Sequence, residues 1–200
     1  SEITLQQYQE FVKLKDQEYD EIQIQKKMIS IFCMITEDEV SKIRYSDAER
    51  VTSTLGEMFD QKPDLVKSFN LKGIEYGFIP ELDDISLGEY IDLDTYIGDW
   101  ENIHRAMNVL YRPIENKRKE KYIIQDYNPE MNNDLLEMPL NAVIGSVFFF
   151  YHLGRELEKV FQSYLMKLGE KQQVEFQDLI KSGDGTIQYG DSLSEILQDL

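Results

Sequence analysis

Apolar residues recur at intervals of three and four along the first third of the chain, and each run is preceded by a helix-start signal. Thr4 with Gln7 forms a capping-box pair, after which Leu5, Tyr8, Phe11 and Val12 share one face. A longer helix is expected over residues 16–34, with Ile24, Met28, Ile31, Phe32 and Ile35 turned inward. Two more capping boxes follow, Thr36 with Glu39 and Ser46 with Glu49. The second opens a helix whose apolar set is Val51, Leu55, Met58 and Phe59, and Pro63 stops it.

The period then changes. Leu65-Val66-Lys67-Ser68-Phe69-Asn70-Leu71 alternates loosely, Lys72-Gly73 turns, and Ile74-Glu75-Tyr76-Gly77-Phe78-Ile79 alternates again until Pro80. This predicts a β-hairpin with glycine in its connection. Ser86 with Glu89 makes a fourth capping box, starting a helix that carries Leu87, Tyr90, Ile91, Leu93 and Tyr96. Gly98-Asp99 breaks it, Asp99 caps a helix over residues 100–111, and Pro113 closes that helix. Tyr122-Ile123-Ile124 is a short strand candidate behind the basic cluster Lys117-Arg118-Lys119 and Lys121. Asn132-Asn133 separates a short segment, residues 134–138, from a long helix that Pro139 can start and Gly169 can stop. Ser182-Gly183-Asp184-Gly185 reads as a loop, with a last short helix after Ser192. The fold expected is mainly α, of the α+β kind: one helical domain over residues 1–200 with a small central hairpin, a long C-terminal helix and a sub-boundary near residues 60–63.

Composition narrows the function classes. Thirty-eight acidic residues against twenty-one Lys and Arg give a formal net charge of −17. Such a field repels phosphate backbones and anionic lipid, so nucleic-acid and membrane-surface binding are disfavoured and basic protein surfaces fit better. The single cysteine, Cys33, lies within an apolar helical pattern and is expected in the core, with no disulfide to form within the chain. Ser1-Glu2-Ile3-Thr4 leads into a polar amphipathic stretch unlike a secretory leader. The longest apolar run, residues 142–153, is interrupted by Gly145, Ser146 and His152 and is shorter than the ~20 residues of a membrane span.

Candidate chemistry is sparse. No phosphate-binding glycine loop occurs, and Gly183-Asp184-Gly185 lacks the lysine such a loop needs. The two histidines, His104 and His152, have no second His or Cys at metal-ligand spacing. Residues 73–104 hold nine carboxylates and no Lys or Arg. Calcium-loop spacing fails there, because the sixth and twelfth positions from Asp92 are Ile97 and Ile103. Aromatics interleave with these acids. Tyr90, Tyr96 and Trp100 among Asp83, Asp84 and Asp92 are the residue types that anchor interfaces, and they form the candidate partner-binding set. No cofactor is expected.

The segment Phe78-Ile79-Pro80-Glu81-Leu82-Asp83-Asp84-Ile85-Ser86-Leu87-Gly88-Glu89-Tyr90-Ile91-Asp92-Leu93 continues through Trp100-Glu101-Asn102, His104-Arg105-Ala106-Met107 and Val109-Leu110-Tyr111-Arg112-Pro113. This segment resembles a small virion-associated protein of the crAss-like tailed bacteriophages. The resemblance implies a non-enzymatic structural or cargo protein, made in the host cytoplasm and placed in the virion at the portal vertex or tail. Its implied partners are other phage structural proteins (portal, tail or ring), present in multiple copies. A tail-assembly chaperone absent from the mature particle is the neighbouring expectation. A metal-dependent hydrolase using the carboxylates of residues 73–104 is the expectation from another class.

Overall fold

The computed structural model describes residues 3–14, 17–119, 121–130 and 133–165. The expected stop at Gly169, the loop at Ser182–Gly185 and the helix after Ser192 lie outside the described residues.

Helix α1 (Leu5–Val12) starts from the Thr4–Gln7 capping box. Helix α2 (Glu21–Cys33) starts later than the periodicity predicts, because Asp20 with Gln23 supplies a further capping box. It ends where Met34 turns left-handed at φ 53°, and Ser30 Oγ closes the turn by donating to the Ile35 carbonyl. The inward face of α2 is Met28, Ile29 and Phe32, while Ile24, Ile31 and Ile35 are half-buried. Cys33 is exposed, against the expectation of a core residue: one step past Phe32 rotates it about 100° off the inward face. Helix α3 (Glu37–Val40) follows the Thr36–Glu39 box, and Lys27 reaches Glu37 at 3.0 Å. Helix α4 (Tyr45–Phe59) begins from Arg44 without a side-chain cap. The expected Ser46–Glu49 box does not form, since Ser46 already lies inside the first turn. Met58 is exposed, leaving Leu55 as the buried residue of α4 with Val51 and Phe59 beside it.

The hairpin is present as β1 (Ser68–Leu71) and β2 (Ile74–Phe78), joined by Lys72 and Gly73 at φ 52° and 84°. Two positive φ values match a type I′ turn, whose twist suits a two-residue hairpin. After a 3-10 turn at Leu82–Asp84 come α5 (Leu87–Tyr96), started by the Ser86–Glu89 box, and α6 (Ile103–Leu110). Here the expected helix over residues 100–111 is corrected at both ends. Asp99 caps a turn by accepting from the backbone N–H groups of Glu101 and Asn102, and the helix proper starts at Ile103. Tyr111 is already extended and opens β3 (Tyr111–Arg118), so Pro113 sits inside a strand and does not close the helix. The residue before a proline avoids helical backbone, and Arg112 extends accordingly. Strand β4 (Lys121–Ile124) completes a sheet of order β1-β2-β3-β4, antiparallel throughout, with a bulge in β3 between Ile114 and Asn116.

Helix α7 (Leu140–Leu165) joins two apolar clusters. Its Ala142, Val143, Val147 and Phe150 lie in the larger cluster, with the sheet residues Tyr76, Phe78 and Tyr111 and the α6 residues Ile103, Ala106, Met107 and Leu110. Its Leu140 and Ile144 lie in the second, with Tyr8, Met28, Phe32 and Leu55 of the N-terminal helices. A helix apolar on both sides is one buried between layers. Its start is tied down by the chain's beginning: Leu5 N–H donates to the Met138 carbonyl and Leu140 N–H to the Ile3 carbonyl. Gly145 in α7 lets residues 64–65 pass closely, since a Cβ there would lie 2.6 Å from the Asp64 carbonyl oxygen.

Candidate partner-binding face

The six residues singled out as a partner-binding set separate into two groups. Trp100 is half-buried and packs against both apolar clusters, its ring centroid 4.9 Å from that of Tyr8. Gln9 donates to the Trp100 and Glu101 carbonyls, fixing this turn onto α1. Tyr96 packs against the larger cluster, and Arg105 both donates to its hydroxyl at 2.9 Å and lies over its ring. Asp92 accepts a hydrogen bond from Tyr127. Burial first, then that bond, pushes the Tyr127 hydroxyl well above the usual tyrosine range. Trp100, Tyr96 and Asp92 are thus partly buried and have partners within the molecule.

Tyr90, Asp83 and Asp84 stand exposed. Between them the structure adds two residues outside the proposed set, Leu87 and Ile91. On α5, Leu87 is 74%, Tyr90 39% and Ile91 52% exposed. Spacings of three and four put these on one outward stripe. Glu89 and Leu93 point the other way and are buried. The apolar residues of α5 are divided between two faces. Leu93 enters the core and the Leu87–Tyr90–Ile91 stripe faces solvent. Asp83 and Asp84 on the preceding turn, and Asp94 on the helix, make the surroundings of that stripe acidic.

The stripe is held on a stiff mount. Glu89 accepts from the Ser86 backbone N–H at 2.7 Å and pairs with Arg112 of β3 at 2.9 Å. Both side chains are about nine-tenths buried. Burial raises the Glu89 pKa, but the Ser86 hydrogen bonds and the Arg112 charge outweigh it and hold the carboxyl below its ordinary value. Arg112 Nε has no hydrogen-bond partner among the described residues. One carboxylate thus caps α5 and ties it to the sheet.

The remaining chemistry is quiet. Among the described residues no group of three or more His, Cys, Asp or Glu side chains converges as a metal site needs. His104 is half-buried; burial, then the Arg105 charge, lowers its pKa against an opposing pull from Asp99. His152 lies in a shallow groove with Phe59, Lys62, Phe148 and Tyr151. Among the described residues no helix is long and apolar enough to cross a membrane. Comparison of the chain with protein-family models, with curated proteins and with solved structures finds no match.

Proposed function

We propose that the chain is a non-enzymatic structural or cargo protein of a tailed-phage virion, at the portal vertex or tail, that works through protein–protein contacts made by the outward face of α5. The observation supporting this reading is the exposed Leu87–Tyr90–Ile91 stripe beside Asp83 and Asp84. Leaving two aliphatic side chains at 74% and 52% exposure forgoes burial that folding normally takes. A partner that covers them recovers it. The acidic surroundings select a partner surface carrying Lys or Arg, and the charge of −17 repels nucleic acid that the protein would meet inside a particle. The resemblance of residues 78–113 to a crAss-like virion protein points the same way.

The test is quantitative mass spectrometry of purified particles beside the host lysate, for wild type and for Leu87→Ser with Ile91→Ser. Recovery in particles at a fixed ratio to the portal protein, lost in the double variant while its circular dichroism is unchanged, is expected. Presence in lysate alone overturns the virion reading and favours the assembly chaperone, which would use the same acidic apolar face.

A further inference from the structure

The only dense positive charge in the chain's middle is Lys117-Arg118-Lys119 with Lys121, and the fold puts it at one place. Arg118 pairs with Lys121, so these residues form the closed end of the β3–β4 hairpin. All four are exposed, and Lys119 takes the left-handed turn position at φ 57°. Lys117 pairs with Glu75, leaving Arg118, Lys119 and Lys121 directed at solvent, with Glu120 between them in sequence. Strand β4 is one of the sheet's two edge strands, and Ile123, two residues from Lys121 and on the same side of the strand, is 63% exposed. The hairpin end is therefore basic with an adjoining apolar residue, the complement of the α5 face in both respects.

Register fixes where the two surfaces lie. Helix α5 is bound to the sheet through Glu89 and Arg112, at the end where Arg112 pairs with Gly77. Asp92 holds Tyr127, three residues beyond β4, at that same end. The hairpin closes at Arg118, six residues further along β3, or about 20 Å away at 3.3 Å per residue. The basic end and the acidic face are thus held apart within one molecule. The shortest route to pairing them runs between molecules.

We propose that the β3–β4 hairpin end of one copy docks on the α5 face of the next, with Arg118, Lys119 and Lys121 against Asp83 and Asp84, and Ile123 against Leu87 and Ile91. This rests on α5 being a contact face and names its occupant as a second copy of this chain. The two surfaces differ, so the contact is head-to-tail: each copy that has bound still offers one free hairpin and one free face, which generates a ring or a filament. A small contact of this kind is weak singly, and repulsion between copies of charge −17 opposes it further. Association is expected at high protein concentration, as on a surface that gathers copies.

Sedimentation velocity from micromolar to near-millimolar protein tests this with two variants. The first neutralises the hairpin (Arg118→Ser, Lys119→Ser, Lys121→Ser) and the second the face (Asp83→Asn, Asp84→Asn, Leu87→Ser, Ile91→Ser). Circular dichroism and Trp100 fluorescence check that each is folded. Wild type is expected to grow in sedimentation coefficient with concentration, and each variant alone to stay a monomer. Mixed, they retain one good face and one good hairpin, so a 1:1 dimer that goes no further is expected. A wild-type monomer throughout, or a mixture with no dimer, overturns the head-to-tail contact. A photo-crosslinker at Ile91 in intact particles separates the two claims. An adduct with a different protein ends the self-docking inference and leaves α5 as a contact face. No protein adduct at all ends the reading of α5 itself.

Discussion

Single residues carry two constraints that composition alone does not display. Gly145 is one: glycine inside a helix normally costs up to about 1 kcal/mol relative to alanine, yet here the Asp64 carbonyl rests where a Cβ would be. Gly154, further along α7, has nothing within 4 Å of the same hypothetical atom. Gly145→Ala is therefore expected to destabilise by about 1–3 kcal/mol, as overpacking against backbone does, while Gly154→Ala is neutral or slightly stabilising. Urea denaturation of both variants checks this; equal effects would mean that residues 64–65 shift freely. Cys33 makes the opposite point. Its apolar sequence neighbours suggested burial, but a helix turns each successive residue by about 100°, and only Phe32 of that pair faces inward.

Elements were legible where the start signal is local. Thr4 with Gln7, Thr36 with Glu39 and Ser86 with Glu89 each hydrogen-bond in the reciprocal arrangement that their spacing predicts. The hairpin at Lys72-Gly73 was equally readable, because two left-handed residues are a property of the turn itself. Strand β3 was not, since Arg112-Pro113 reads as a terminator and its pairing with β2 lies some 35 residues away in sequence. Nor was the outward stripe of α5. Tyr90 stands out among the carboxylates, but nothing in the helical period shows Leu87 and Ile91 sharing its exposed side until Glu89 is seen to be buried against Arg112. That pair gives α5 its pH dependence. The Glu89 carboxyl is held below its ordinary value, so its contribution to stability is present above about pH 4.5 and is lost as pH falls through the lowered folded value. Glu89→Gln should destabilise at neutral pH by about 3 kcal/mol, because Arg112 is left buried without its counter-charge. The gap between variant and wild type should then shrink as pH falls below 4.5. Thermal melts across that range measure it, and a gap constant with pH would show that the Arg112 charge is not involved.

At the scale of the whole molecule, the two apolar clusters are coupled through α7 and through one side chain. Trp100 packs on both clusters, with its ring against Tyr8 of the second. Gln9 binds the same turn through two carbonyls, so α1 and the residue 100–101 turn move together. The sequence placed this tryptophan among carboxylates and so suggested an interface anchor; distance along the chain hid Tyr8, which lies 92 positions earlier. The consequence is a prediction about cooperativity. Trp100→Ala should cost about 2–3 kcal/mol, less than a fully buried tryptophan because part of its surface remains exposed. More specifically, the lost contact should let the N-terminal helices melt ahead of the sheet, so that unfolding followed by circular dichroism broadens and its denaturant slope falls. Trp100→Phe, which keeps a ring against Tyr8, should retain most of the slope. A Trp100→Ala variant that unfolds as sharply as wild type would mean that α7 alone couples the clusters. In that case the tryptophan's exposed edge would again be a candidate for the contact surface beside α5.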